Sequence, residues 1–432
     1  MSGDWKTPPG GEGQKSAAWD SDATVASWPG SDAKQGFGGI DPRSAGAEGA
    51  FTEATTTSWF ERMKGAFVGV LIGLLFVPGS AWMLFWNEGR AVQTSRSLSE
   101  GASSVQAADA GRVDPALDGR LVHVAGPITV SGSLRDPDFA VQAQGALRIV
   151  RSVEMYQWRE ERRSETRTNL GGSQETVTTY NYTRGWSAQP IDSSRFRQPE
   201  GRFNPQMRYP SRDTVAAEAR LGARRLTEEQ IRGLGEARPL PLDATAFMAP
   251  AGAIVSDGGL YVGRDPQAPQ IGDLRIRFSV VPADSASVVA AQRGEGFAPF
   301  QTRAGDRVML MRMGNVPAAA MFQAAEEGNR IFTWVLRAVG MLLMFIGFAM
   351  ILRPLSVLGS VVPVVDSIIG AGAGLVAGIL TLVIAPVVIA VAWIFYRPVI
   401  GVLVLVAGMA GAAGLTWLAR QRRGATPPAA AR

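Results

Sequence analysis

Charge-free apolar stretches are unevenly placed along this chain, and their placement limits what it can fold into. Gly65–Trp86 is 22 residues without a charge. The next such stretch begins near Ile331, and from there to Leu418 the chain is mostly apolar. Residues 87–330 between them are polar. A run of ~20 apolar residues crosses the ~30 Å hydrocarbon core as a helix. The layout predicts an integral membrane protein with one large extramembrane insert after its first span.

Four spans are expected. Span one is 65–86, preceded by Arg62 and Lys64 and closed by Trp82 and Trp86, aromatics suited to the bilayer interface. Span two is 331–352, between Arg330 and Arg353, entered from an amphipathic helix opened by Pro317. Residues 355–366 are apolar but too short to span, and read as an interfacial or re-entrant segment closed by Asp366. Spans three and four are 368–395 and 399–418, joined so tightly by Tyr396-Arg397-Pro398 that they form an antiparallel hairpin. An even span count puts both termini on one side. Arg62, Lys64, Arg353 and the basic tail 419–432 mark that side as cytoplasmic. The insert, 91–320, is then periplasmic or luminal. Residues 1–58, rich in Gly, Ser, Asp and Pro and lacking apolar periodicity, read as a disordered cytoplasmic tail.

Strand patterns dominate the insert. Arg120–Ala125 and Leu274–Val281 each follow a Gly-containing turn, and Val150–Arg159 and Glu175–Trp186 flank Asn169-Leu170-Gly171-Gly172 as a long hairpin. One helix is expected over Leu226–Leu234, with Thr227 as N-cap and Gln230 completing a capping box. The fold class is an α+β membrane protein: four transmembrane helices, one N-terminal and three C-terminal, with a large β-rich extramembrane domain between the first and second.

With no Cys and one His, thiol nucleophiles, disulfides and multi-His metal sites are excluded. His123 reads as a packed strand residue rather than a catalytic base. No Walker loop, HExxH or GxSxG string occurs, and no carboxylate sits within a span to relay protons. The expectation is a non-enzyme with no catalytic residue, cofactor or metal. Arg159–Arg167 interleaves Arg with Glu, as a solvated hairpin tip does, so nucleic acid is not an expected partner. The preference for Arg over Lys, with 50 Gly, suggests a GC-rich bacterial genome.

Two sets of structural residues stand out. Gly65, Gly69 and Gly73 in span one, and Gly370, Gly374 and Gly378 in span three, repeat every four residues and line one helix side with hydrogen. Packing within one bundle accounts for them as well as oligomerisation does. Asn87, Glu88 and Arg90 lie where span one meets the insert. Glu88 and Arg90 can pair with each other or with Arg337, or remain a solvated interfacial cluster.

Six local strings carry a family resemblance: Asn87-Glu88-Gly89-Arg90-Ala91, Gly119-Arg120-Leu121-Val122-His123, Glu154-Met155-Tyr156-Gln157-Trp158, Gly272-Asp273-Leu274-Arg275, Ala291-Gln292-Arg293-Gly294 and Phe395-Tyr396-Arg397-Pro398. In this order and with this span layout the chain resembles the transmembrane protein 43 family, also called LUMA, over residues 60–418. The resemblance implies a four-span protein of internal membranes that self-associates and organises the envelope with protein partners. In animals those membranes are the endoplasmic reticulum and inner nuclear membrane; in a bacterium the inner membrane takes their place. The expected partners are membrane lipids and membrane or envelope proteins, with a homo-oligomer as a further option. The expected function is a membrane-organising scaffold that binds protein or lipid through its exported domain. The alternatives are a lipid-binding or lipid-sensing module and a membrane enzyme acting on envelope lipids.

Overall fold

The computed structural model describes residues 50–399, apart from 243–246, 249, 251 and 362, together with 403, 406, 410, 413 and 414. Most of the tail 1–58, most of the expected fourth span 399–418, and the tail 419–432 lie outside the described residues.

Three described helices are long and apolar enough to cross a membrane. Helix α1 is Trp59–Ser104. Its start is fixed by a capping box: Ser58 Oγ accepts from the Glu61 amide, and the Ser58 amide donates to the Glu61 carboxylate. The helix does not stop where the apolar run stops. Residues 87–104 contain no proline, and they place Ala91, Val92, Leu98 and Gly101 on one buried side. Leu98 joins Leu121, Val289, Val308, Met321 and Phe322 in a core shared with the sheet domain. The insert expected over 91–320 therefore begins on a helix that continues out of the first span.

Helix α3, Ala318–Gly359, returns in the same way, with Pro317 as its N-cap. Residues 355–366, expected as a separate interfacial piece, are not a separate element. Leu355–Gly359 completes α3, and after the turn at Ser360 and Val361 a third long helix, α4, runs over Pro363–Tyr396. Pro354 and Pro386 are accommodated inside helices. Helix continuity here outweighs the apolar run length.

The sheet domain between α1 and α3 has two large sheets among the described residues. The first has eight strands. Its path runs Phe51–Thr57, Gln174–Ser187, Ala146–Thr168, Leu274–Pro282, Gly259–Val262 and Ala253–Ser256. The second has seven strands and centres on Ser285–Arg293 paired antiparallel with Leu121–Val130. Alternation sets the core: Val122, Val124 and Ile128 meet Ala286, Val288 and Ala290 in one cluster, while Ile149, Val153 and Met155 meet Leu274, Ile276 and Phe278 in another. The short helix α2, Glu228–Arg232, carries the expected Thr227–Gln230 capping box.

Part of the tail expected to be disordered is a strand. Phe51–Thr57 pairs antiparallel with the outer strand of the long hairpin, from Phe51 opposite Tyr180 to Thr57 opposite Gln174. Its Thr-rich sequence carries β-branched side chains but no apolar alternation, so the pattern gives little sign of it.

The hairpin Ala146–Thr168/Gln174–Ser187 is longer than the sequence suggests. Its base is a core strand pair, but residues 161–167 are exposed on both faces. Its tip reaches the start of α1 and the end of α3. The Gly171 amide donates to the Val361 carbonyl at 3.2 Å, and Arg62 bridges the Gly172 carbonyl at 2.5 Å and Ser360 Oγ at 3.0 Å. Trp59 Nε1 donates to the Val357 carbonyl at 3.0 Å. Gly172 has φ +81° and a Cβ there would lie 2.5 Å from the Trp59 ring, so only Gly fits. Thr168 lies about 33 Å of strand beyond Trp158, and the apolar run 65–86 is about 32 Å of helix. The hairpin thus extends over the same height as the apolar part of α1.

Candidate functional site

The residues expected at the junction come together. Glu88 on α1 is buried, and Arg337 on α3 grips it through two bonds: Nε to Oε1 at 2.6 Å and Nη2 to Oε2 at 2.8 Å. A third helix joins them, because Trp393 Nε1 on α4 donates to Glu88 Oε2 at 2.8 Å. The Arg337 guanidinium lies 4.6 Å from the Trp334 ring centroid and 5.8 Å from that of Trp393. Both Glu88 oxygens are satisfied and the cation is flanked by rings, as a buried pair requires. Of the pairings left open by the sequence, the structure selects Glu88 with Arg337.

Arg90, two residues further along α1, turns to a different set. Its Nη1 donates to Asn329 Oδ1 at 3.0 Å and its Nη2 to Thr333 Oγ1 at 3.0 Å and Asn87 Oδ1 at 3.4 Å. Asn87, fully buried, donates to the Thr333 carbonyl at 3.1 Å, and Asn329 Nδ2 donates to the Ala91 carbonyl at 3.0 Å. Asn329, Thr333 and Trp393 were not singled out from sequence. Asn329 and Thr333 lie four residues apart on one helix side, but their partners are more than 200 residues away.

Beyond the knot, the helices are held to the domain by surface polar contacts. Thr94 and Gln93 bond the Asp306 carboxylate at 2.6 and 2.9 Å, and Glu100 accepts the amides of Arg303 and Ala304.

A cavity of about 520 Å³ opens beside the ion pair. Glu326, Glu327, Arg330, Trp334, Trp393 and Arg397 are among the residues that line it. Glu327 pairs with Arg330 at 3.4 Å in an exposed contact. Glu326 and Arg397 are exposed and make no ion pair or side-chain hydrogen bond with any described residue. Trp86, Trp334 and Trp393 stand within a turn or so of Glu88 or its partner Arg337, and indole rings of this kind suit a bilayer interface.

The glycine stripes divide. Gly73 is in tight contact: a Cβ there would lie 2.6 Å from the Gly347 carbonyl. Gly69 is near Met350 and Gly378 near Phe345, each at van der Waals distance. At Gly65, Gly370 and Gly374 a Cβ would meet no described atom within 4 Å, so the described helices give these three no close partner. The glycines that do allow close approach include three the four-residue repeat did not contain. Gly340 receives Leu84, Gly347 receives Phe76 and Val77, and Gly89 receives the Tyr396 ring. Which face of a helix meets another depends on where its neighbours lie, which periodicity does not report.

His123 is half-buried in its strand opposite Val289, with Nε2 2.9 Å from the Val316 carbonyl. Asp273 is in a turn, where its carboxylate accepts from Tyr261 Oη at 2.5 Å and the Gln270 amide at 2.7 Å. Burial first, and then the hydrogen bond to Asp273, push the Tyr261 phenol well above its ordinary range. Two buried arginines hold the domain interior. Arg151 Nη1 binds Asp136 at 2.8 Å, and Arg224 Nη2 binds Gln292 Oε1 at 2.8 Å. Among the described residues no group of three or more His, Asp or Glu is placed to hold a metal ion.

Comparison with known proteins agrees with the family resemblance. The family model described as transmembrane protein 43 matches residues 155–398. Human transmembrane protein 43 is 32% identical over 365 residues, which cover 82% of this chain and 90% of the human protein. The Drosophila melanogaster transmembrane protein 43 homolog is 33% identical over 363 residues, covering 80% of this chain and 93% of its own length. The rat protein is 32% identical over 353 residues, covering 79% and 87%. No solved structure matches. With three apolar helices, a sheet-rich domain and this likeness over most of its length, the chain is a multi-pass integral membrane protein and belongs to the transmembrane protein 43 family.

Proposed function

We propose that the protein is a non-enzymatic membrane-organising scaffold, whose sheet domain is exported across the membrane and held rigidly over it to bind protein or lipid. The observation that carries this reading is the junction. Helices α1 and α3 run from the apolar region into the domain without a hinge, and Glu88, Arg337 and Trp393 tie three helices together at the crossing level. Such coupling transmits load and orientation between membrane and domain, and a tether with flexible linkers does not. In this reading both termini are cytoplasmic, from the positive charge at Arg62, Lys64, Arg353 and 420–423. The membrane is a bacterial inner membrane, or the endoplasmic reticulum and inner nuclear membrane in an animal cell. The fourth span over 399–418 belongs to the same proposal, as does assembly into homo-oligomers.

This topology has a physical cost at the long hairpin. Residues 161–167 include Glu161, Arg162, Arg163, Glu165 and Arg167, and the tip bonds hold them at the height of the spans. Lipid does not tolerate such groups. In the bilayer they need water or protein around them, which a scaffold assembled from several chains supplies.

The test is a crosslinking pull-down from native membranes with the full chain, using Glu88→Ala as comparison. A scaffold recovers a defined set of envelope proteins that Glu88→Ala loses or scrambles while still inserting. Recovery of the same set by both proteins would argue that the rigid junction has no part in recognition. The cavity beside the junction favours lipid as one ligand class.

A further inference from the structure

The charges lining the junction cavity are balanced but, among the described residues, not all paired. Three arginines, Arg330, Arg337 and Arg397, face three glutamates, Glu88, Glu326 and Glu327. Glu88 is saturated by Arg337 and Trp393, and Glu327 sits against Arg330. That leaves one cation, Arg397, and one anion, Glu326, without a side-chain partner among the described residues. They come from different helices, Glu326 from the domain end of α3 and Arg397 from just past α4, and both border the same 520 Å³ space.

We propose that this cavity binds the headgroup of a zwitterionic glycerophospholipid carrying a primary ammonium, of the phosphatidylethanolamine type. The phosphate meets the guanidinium of Arg397, which recognises phosphate through a donor fork. The ammonium meets the Glu326 carboxylate. Trp334 and Trp393 stand at the rim, where indole rings hold the boundary between headgroup and acyl chain. The acyl chains follow the exposed aliphatic surface of α3 and α4, at Val335, Val339, Leu342, Val387 and Val391. A purely anionic headgroup satisfies Arg397 but leaves Glu326 facing a negative charge, so the site discriminates by the ammonium. A basic patch alone draws anionic lipid, and the unpaired glutamate reverses that preference. This deepens the scaffold reading, and rests on it only for the claim that the domain meets the bilayer at this level.

The test is native mass spectrometry of the full chain in detergent, titrated with dioleoylphosphatidylethanolamine, dioleoylphosphatidylglycerol and soluble glycerophosphoethanolamine. The wild type should retain the ethanolamine lipid over the glycerol lipid by roughly tenfold, the effect of one charge-assisted contact. Arg397→Gln should weaken both lipids by about the same factor. Glu326→Gln should leave the glycerol lipid bound and abolish the preference. Arg353→Gln, at the other end of α3, should change neither. Equal retention of the two lipids by the wild type would overturn the proposal. So would an unchanged preference in Glu326→Gln, equal losses in Arg353→Gln and Arg397→Gln, or binding of the soluble headgroup as tight as the lipid. Each of these results leaves the pull-down of envelope proteins untouched, so the two readings fail separately. Arg397 and Glu326 are exposed and make no ion pair or side-chain hydrogen bond with any described residue, so their replacement leaves the described fold intact.

Discussion

Glu88 and Arg337, 249 residues apart in sequence, share a two-bond ion pair in which Glu88 is 3% exposed and Arg337 12%. Breaking one side leaves the other charge buried without its partner, at a cost of about 3–5 kcal/mol. Arg337→Met and Glu88→Gln should each lower the melting temperature of the solubilised protein markedly. The double variant Glu88→Met/Arg337→Met should melt above at least one of the single variants, because it buries no orphan charge. Additive losses in the double variant would mean the pair is not coupled.

Among the described residues, Gly73 lies in close backbone approach to Gly347, whereas Gly374 has no neighbour within 4 Å of a Cβ. Gly73→Leu should lower stability by about 1–3 kcal/mol through overpacking against the Gly347 backbone. Gly374→Leu meets no described atom and should leave melting unchanged. Thermal unfolding of both in one detergent compares them directly, and equal losses would place a further helix against Gly374.

The hairpin tip should share a side of the membrane with the start of α1. The chain has no Cys, so single cysteines report without background. Leu170→Cys and Thr56→Cys are both exposed, and both should react with an impermeant maleimide from the cytoplasmic side of sealed vesicles. Glu236→Cys, exposed on the sheet domain, should react only from the other side. If Leu170→Cys labels with Glu236→Cys instead, the tip contacts of Gly171 and Gly172 do not form in the bilayer. If all three label together, α1 does not cross.

Tyr261 holds its proton because ionisation would place a phenolate beside Asp273 in a buried turn. Its pKa is raised in the folded state above the unfolded value of ~10. The stabilisation is therefore complete below that value and fades as pH rises above it toward the folded one. Of the six tyrosines, Tyr261 should be absent from the first tyrosinate absorbance step, seen as a difference between wild type and Tyr261→Phe only at the alkaline end. A missing amplitude near pH ~10 in Tyr261→Phe would contradict the burial argument.

Much of this protein was legible from residues alone. Lipid exacts an apolar run of fixed length from any spanning helix, so 65–86, 331–352 and 368–395 announced themselves. Local chemistry also reads out locally: the Thr227–Gln230 box, the turn at 169–172 and the helix start after Pro317 need only neighbouring residues. Asn87, Glu88, Arg90 and Arg337 could be gathered as candidates because charge at a span boundary is costly, but not their pairing. That Glu88 takes Arg337 and Trp393 while Arg90 takes Asn329 and Thr333 depends on the rotation of α1 against α3 and α4. The same rotation selects Gly73, Gly340 and Gly347 for contact and leaves Gly374 facing no described atom. The strand Phe51–Thr57, the docking of Gly172 under Trp59, and the shared lining of Glu326 and Arg397 likewise join distant segments. Sequence determines which segments are apolar, capped or strand-forming, because those are short-range energies. Only the tertiary structure decides which side chains meet, because that is settled by packing all the segments at once.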